Sequence, residues 1–159
     1  MSYERDVISF TRQLLEGLVK VHDLNLVHLD IMPQNLVLMV EFPDCDVKLC
    51  EFEISRFLTP GRDVREILGT PDYVAPEILL YETITKKTDM CSLGVLVYVL
   101  LTGFLPFGCD TDQETFSQIS RGELDFPEEL FEDISDEAID FIKKLLVMQP
   151  ELRMSAKEC

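Results

Sequence analysis

The residue pattern predicts a mainly α domain with a few short β-strands, on three observations. Val7, Phe10, Leu14, Leu18 and Val21 recur at three- and four-residue steps, the period of one apolar helix face. Residues 93–101 are almost all apolar, which reads as a helix buried on every side and too short to span a bilayer. Residues 26–29, 36–40 and 47–50 are short apolar runs bounded by Pro, Asn or Asp, which reads as three strands.

In chain order, Ser2 is placed to cap a helix running to about residue 23. Pro33 and Pro43-Asp44 supply the breaks between the strand-like runs. Residues 51–77 show no sustained period and are punctuated by Pro60, Gly61, Gly69, Pro71 and Pro76. A long irregular segment inside a compact domain usually has a function. The buried helix is expected over about 88–102. Thr111-x-x-Glu114 is a capping box. Ser135 caps a further helix, with Asp136 and Glu137 in its first turn and Lys143 and Lys144 late, as the helix dipole favours. Ser155-x-x-Glu158 begins one more capping box and the chain stops, so this end reads as a cut.

At 159 residues and 47% hydrophobic, the chain suits one compact domain with a real core. Thirty acidic against fourteen basic residues leave a net charge of −16, which argues against nucleic acid and anionic membranes as partners and leaves proteins. Segment 110–140 holds twelve acids and one base, Arg121, and reads as a solvated face, the alternative being a docking surface for a basic partner. Cys45, Cys50, Cys91, Cys109 and Cys159 form no Cys-x-x-Cys, and with only His22 and His28 available no zinc site follows from spacing. Reduced thiols and a polar N-terminus fit a cytoplasmic or nuclear protein.

The chemistry concentrates in His28-Leu29-Asp30-Ile31-Met32-Pro33-Gln34-Asn35. An acid and an amide five residues apart between two strands can face one site. A carboxylate there can take a proton from an attacking hydroxyl, and an Asn oxygen can ligate a hard divalent ion. Sixteen residues after Asn35 comes Glu51-Phe52-Glu53, then Gly69-Thr70-Pro71-Asp72-Tyr73-Val74-Ala75-Pro76-Glu77, then Asp89-Met90-Cys91-Ser92-Leu93-Gly94. In this order and spacing the chain resembles the large, C-terminal lobe of a eukaryotic serine/threonine protein kinase. Leu29, the Met-Pro-Gln-Asn run and the Gly-Thr-Pro-Asp-Tyr stretch are most similar to the death-associated protein kinase family, in its related apoptosis-inducing branch.

The resemblance implies phosphoryl transfer from Mg-ATP to Ser or Thr of a protein, with a role in apoptotic signalling. It implies Asp30 as catalytic base, Asn35 and Glu51 as magnesium ligands, and Gln34, Val37 and Cys50 along the nucleotide. Thr70 falls on the substrate loop beside the catalytic Asp. His28, Phe52 and Asp89 fall on a stack joining the site to the buried helix, and Glu77 and Arg153 on a buried ion pair.

Several positions depart from the family pattern. Met32 stands where a Lys meets the transferring phosphoryl charge, and losing one such stabiliser typically costs about 10²–10³ in rate. Glu51 lengthens the metal-binding Asp by a methylene, and Glu53 replaces a Gly of the hinge. Cys91 replaces a Trp, which suggests a looser core. Leu29 replaces the Arg that elsewhere binds an activation-loop phosphate, so activation through that Arg is not expected, and Thr59 and Thr70 read as ordinary loop residues. The glycines form no Gly-x-Gly-x-x-Gly, and no strand-borne Val-Ala-x-Lys occurs. The ATP-covering small lobe is therefore expected to be absent, leaving residues 1–159 as a partial kinase domain truncated at both ends, with Mg-ATP binding weak or absent. Three readings stay open: part of an active enzyme, a pseudokinase or decoy lobe that binds proteins, and a remnant without function.

Overall fold

The computed structural model describes residues 2–41 and 46–159, apart from the side chain of Ser2. The expected cap at Ser2, the break at Pro43-Asp44 and Cys45 thus lie outside the described residues. Helix α1 runs Ser2–Asp23 and buries Val7, Phe10, Leu14 and Leu18 along one face, while Val21 is half-buried. Strands β1 (Leu26–Val27), β2 (Leu36–Leu38), β3 (Val47–Leu49) and β4 (Arg56–Phe57) form two antiparallel pairs. β2 pairs with β3 in the register Leu36 to Leu49, and β1 pairs with β4, Leu26 to Phe57.

The three expected strands are present but shorter than their apolar runs. β4 was not expected, because a two-residue strand within 51–77 has no period to reveal it; its partner supplies the order. The same segment contains a single 3-10 turn, Pro71–Tyr73, and ends in the one-turn helix α2 (Pro76–Leu79). Two further 3-10 turns lie at Pro33–Asn35 and Pro150–Leu152.

Helix α3 (Lys86–Thr102) is the core. It begins two residues before the apolar pattern shows, because the hydroxyl of Thr85 accepts from the Lys87 N–H and Thr88 completes a reciprocal cap. Residues 88–98 are all buried, the polar Thr88, Asp89 and Ser92 included, while 99–102 are half-buried, so the expected burial on every side holds for the first part of the apolar run and not for its end. Cys91 is 4% exposed. α3 packs against α1 and α6 (Asp136–Leu145), and Gly94 allows the closest approach. A Cβ there would come within 2.8–2.9 Å of Leu146 and Leu145.

Helices α4 (Asp112–Arg121) and α5 (Glu128–Phe131) close the rest of the domain. The Thr111 hydroxyl accepts from the Glu114 N–H, but the Glu114 carboxylate takes the hydroxyl proton rather than the Thr111 backbone N–H, so only half of the expected box forms. Ser135 caps α6 through the Ala138 N–H. Ser155 and Glu158 do form the reciprocal pair, on a single turn.

Candidate active site

The site is built outward from Asp89, a fully buried carboxylate in the first turn of α3. A buried charge must find partners, and Asp89 has three. Its Oδ1 accepts from the Leu29 N–H (2.8 Å), and its Oδ2 accepts from the His28 N–H (2.9 Å) and from His22 Nε2 (2.7 Å). Gripping two successive amides bends the backbone sharply, and Leu29 sits at φ 70°. That left-handed conformation costs on the order of 1–2 kcal/mol. Hydrogen bonds to a charged group contribute about 1.5–3 kcal/mol each, so the clamp outweighs the strain.

The bend turns the chain toward β3. His28 Nδ1 accepts the Asp30 N–H (3.1 Å), and Nε2 donates to the Cys50 carbonyl (2.7 Å). An amide can only donate and a carbonyl can only accept, so Nδ1 is the accepting nitrogen and Nε2 the donating one. The ring meets Phe52 edge-on at 4.7 Å. The Cys50 N–H donates to the Asn35 carbonyl (2.9 Å), which seats residues 50–52 beside the loop.

Asp30 stands at the centre. Its Oδ1 accepts from the Thr70 hydroxyl (2.7 Å) and its Oδ2 from Asn35 Nδ2 (2.8 Å). The same Asn35 nitrogen donates to the Asp30 carbonyl (2.7 Å). Both amide hydrogens are thereby used, leaving Asn35 Oδ1 as a pure acceptor. Thr70 approaches because Gly69, at φ 101°, lies against Leu29; a Cβ there would sit 3.1 Å from the Leu29 carbonyl.

Gln34 is exposed, Val37 is 45% exposed, and Cys50 is half-buried. Met32 is half-buried and packs against the core. Glu51 and Glu53 are both exposed. The backbone demand in this stretch falls on Glu51, at φ 58°, and not on Glu53, so the loss of glycine at 53 is not where the strain sits. Farther off, Arg153 is 1% exposed and spends all five guanidinium hydrogens: on Glu77 (2.7 and 2.8 Å) and on the carbonyls of Lys87, Val147 and Met148.

The side chains that would hold magnesium are Asn35, through its amide oxygen, and Glu51, through its carboxylate, both hard oxygen donors. Among the described residues no three His, Cys, Asp or Glu side chains gather to hold a metal ion. The residues fit the mode in which one or two protein oxygens share the ion with nucleotide phosphates, not an all-protein cage.

Comparison with known proteins bears on this arrangement. The protein kinase domain model matches residues 1–159. The chain belongs to the protein kinase domain family. This kinase chain is 51% identical over 156 residues to serine/threonine-protein kinase 17A of Oryctolagus cuniculus, covering 98% of this chain and 39% of that protein. It is 51% identical over 148 residues to death-associated protein kinase related of Drosophila melanogaster, covering 93% and 22%. These matches agree with the subgroup read from the motifs. A solved structure of titin kinase and its flanking domains superposes with a TM-score of 0.89 at 40% identity, covering 98% of this chain and 28% of that one. The kinase chain thus spans about two-fifths or less of these relatives.

Sequence reasoning missed His22 as the third partner of Asp89, since nothing in its position at the end of α1 signals a contact 67 residues away. It also missed a bidentate pair in the long segment, Arg56 to Glu66 at 3.0 and 2.9 Å. Opposite charges ten residues apart in a loop carry no register from which pairing can be read.

Proposed function

We propose that this chain forms the substrate-side part of a serine/threonine protein kinase acting on proteins in the cytoplasm or nucleus, in apoptosis-related signalling. The observation that carries the reading is the Asp30 carboxylate, fixed from one side by Asn35 and from the other by Thr70 on a backbone clamped by Asp89. In this reading Asp30 accepts the proton of the incoming Ser or Thr hydroxyl, and Thr70 and Asn35 keep its two oxygens oriented. Asn35 Oδ1 and Glu51 hold magnesium, while Gln34, Val37 and Cys50 border the nucleotide. Bound Mg-ATP supplies the γ-phosphoryl group.

By itself the chain is inactive in this reading. Met32 turns an apolar side chain toward the core where phosphoryl charge needs a cation, and Glu53 adds negative charge beside Glu51. The same two residues favour a second reading, a pseudokinase lobe that binds proteins.

The test grafts the small lobe of a related kinase onto the chain and follows phosphate transfer from labelled ATP to a protein substrate. The isolated chain should give none. The graft should remain weak, and Met32→Lys, Glu51→Asp and Glu53→Gly should raise it by about 10²-fold or more, with Asp30→Asn abolishing the gain. Full activity before restoration would refute the lesions; no activity after it would favour the binding module.

A further inference from the structure

Helices α1 and α6 both pack on α3 but leave a cleft between them. A cavity of about 560 Å³ fills it, within the range of about 300–1,000 Å³ that small-molecule sites occupy. None of the residues placed around Asp30 lines it. From α1 the cleft takes one stripe of the helix, Glu4 to Val19.

The two ends of the cleft differ. The Tyr3 hydroxyl donates to the Leu100 carbonyl (2.7 Å) at one end and His22 meets Asp89 (2.7 Å) at the other, so α3 runs antiparallel to α1. Val97 and Leu101 therefore lie beside Val7 and Ile8, in the first half of α1. Ser135 donates to Glu4 through its N–H (3.1 Å) and its hydroxyl, which sets the start of α6 at the same end. That end is apolar apart from Glu4, which Ser135 occupies, and Glu137 in the first turn of α6. Past it come Arg12, Glu16 and Lys157, the last of them paired with Asp23 (2.6 Å). Arg12 is exposed and has no hydrogen bond or ion pair among the described residues. Beside it Thr11 is 6% exposed, and its hydroxyl is buried with no hydrogen-bond partner. A buried donor left unpaired costs stability, and a Thr on a helix has a second χ1 rotamer to turn to. One stripe of α1 thus joins an apolar wall to an uncommitted cation and an unpartnered donor.

We propose that this cleft binds a free medium-chain fatty acid, with its tail over Val7, Ile8, Val97 and Leu101 and its carboxylate at Arg12 and Thr11. The carboxylate accepts from the guanidinium and from the Thr11 hydroxyl, charge-assisted bonds that a neutral head group lacks. From Arg12 back to Glu4 the stripe is about 12 Å long at 1.5 Å per residue, the reach of an extended tail of about ten carbons. The charges set the direction, since Glu4 and Glu137 repel a carboxylate at the far end and Arg12 attracts it. A second copy of the chain fits less well, because an isologous contact would set one hollow against another. Binding here is independent of whether the chain is itself catalytic.

The test titrates the purified 159-residue chain with sodium hexanoate, octanoate and decanoate by isothermal calorimetry. Affinity should rise about tenfold for each two added carbons, with one acid per chain, and decanoate should raise the thermal unfolding midpoint. Ile8 is 51% exposed, so Ile8→Glu should keep the fold and lose the binding. Arg12→Gln should weaken decanoate about tenfold and leave decanol unchanged. Thr11→Val should also weaken decanoate, while the free variant unfolds no more readily than the wild type. Binding without dependence on tail length, or a midpoint that falls, would overturn the site. Full binding by Ile8→Glu would do the same, and equal decanoate binding by the wild type and Arg12→Gln would overturn the head group. Sedimentation of the wild type as a dimer that Ile8→Glu splits would give the cleft to a second copy instead.

Discussion

Two Arg–Glu pairs among the described residues are bidentate with similar bond lengths, Arg153 through its two terminal nitrogens and Arg56 through Nε and one terminal nitrogen. Arg153 meets Glu77 at 2.7 and 2.8 Å; Arg56 meets Glu66 at 3.0 and 2.9 Å. They differ in surroundings. The side chains of the first pair are 0% and 1% exposed, those of the second 35% and 43%. The buried pair ties α2 and the start of α3 to the C-terminal turn and leaves no guanidinium hydrogen unused. The open pair joins two points of one surface segment. Burial, more than bond length, decides what each contributes, because water competes for the exposed pair and has no access to the buried one.

The sharpest way to break this comparison is to remove one partner from each pair. Arg153→Ala strands the Glu77 carboxylate in the core and should cost about 3–5 kcal/mol in urea unfolding. Arg56→Gln should cost less than about 1 kcal/mol and lose its effect in high salt. Equal costs would mean that burial is not the controlling variable.

The next effect is alkaline. Burial pushes the Cys91 thiol up to about 12, from an ordinary value near 9. The fold holds the neutral thiol, so stability is intact below the unfolded value and falls as pH rises from about 9 through 12. The loss reaches about 4 kcal/mol when complete. Tyr73 and Tyr98, also raised by burial, titrate at high pH as well, so the reading is the part of the slope that Cys91→Ala removes. In the native chain at pH 8, iodoacetamide should label the exposed Cys109 and spare Cys91. An alkaline profile unchanged by Cys91→Ala would place the loss elsewhere.

Gly94→Ala probes the same core by volume. The added methyl meets Leu145 and Leu146 at under 3 Å and should cost about 1–3 kcal/mol. A neutral result in thermal unfolding would mean that the α3–α6 contact yields, as the small Cys91 would allow.

The smallest effect belongs to the open pair. The Arg56 guanidinium holds the Glu66 carboxyl below its ordinary 4.5. Its contribution is present above that value and is lost as pH falls through the lower folded one. Limited proteolysis near residues 56–66 should quicken over that acid range in the wild type and show no such step in Glu66→Gln.

The sequence alone determined the helical class, α1, an α3 buried over most of its length, the caps at Ser135 and Ser155, and the grouping of Asp30, Asn35 and Thr70 through the ordered motifs. The helices and caps rest on periodicity and on residue types whose chemistry is local, so each can be read within a few positions, whereas the grouping of Thr70 with Asp30, forty residues apart, came from the resemblance to protein kinase motifs. Tertiary structure alone decided that His22 completes the Asp89 clamp, that the strain sits on Leu29 and Glu51 and not on Glu53, that β4 exists, and that Arg56 takes Glu66. Those features depend on side chains meeting across tens of residues and on where water is excluded. Neither quantity is written in the spacing of a single chain; both appear only once α3 has gathered the rest of the fold around itself.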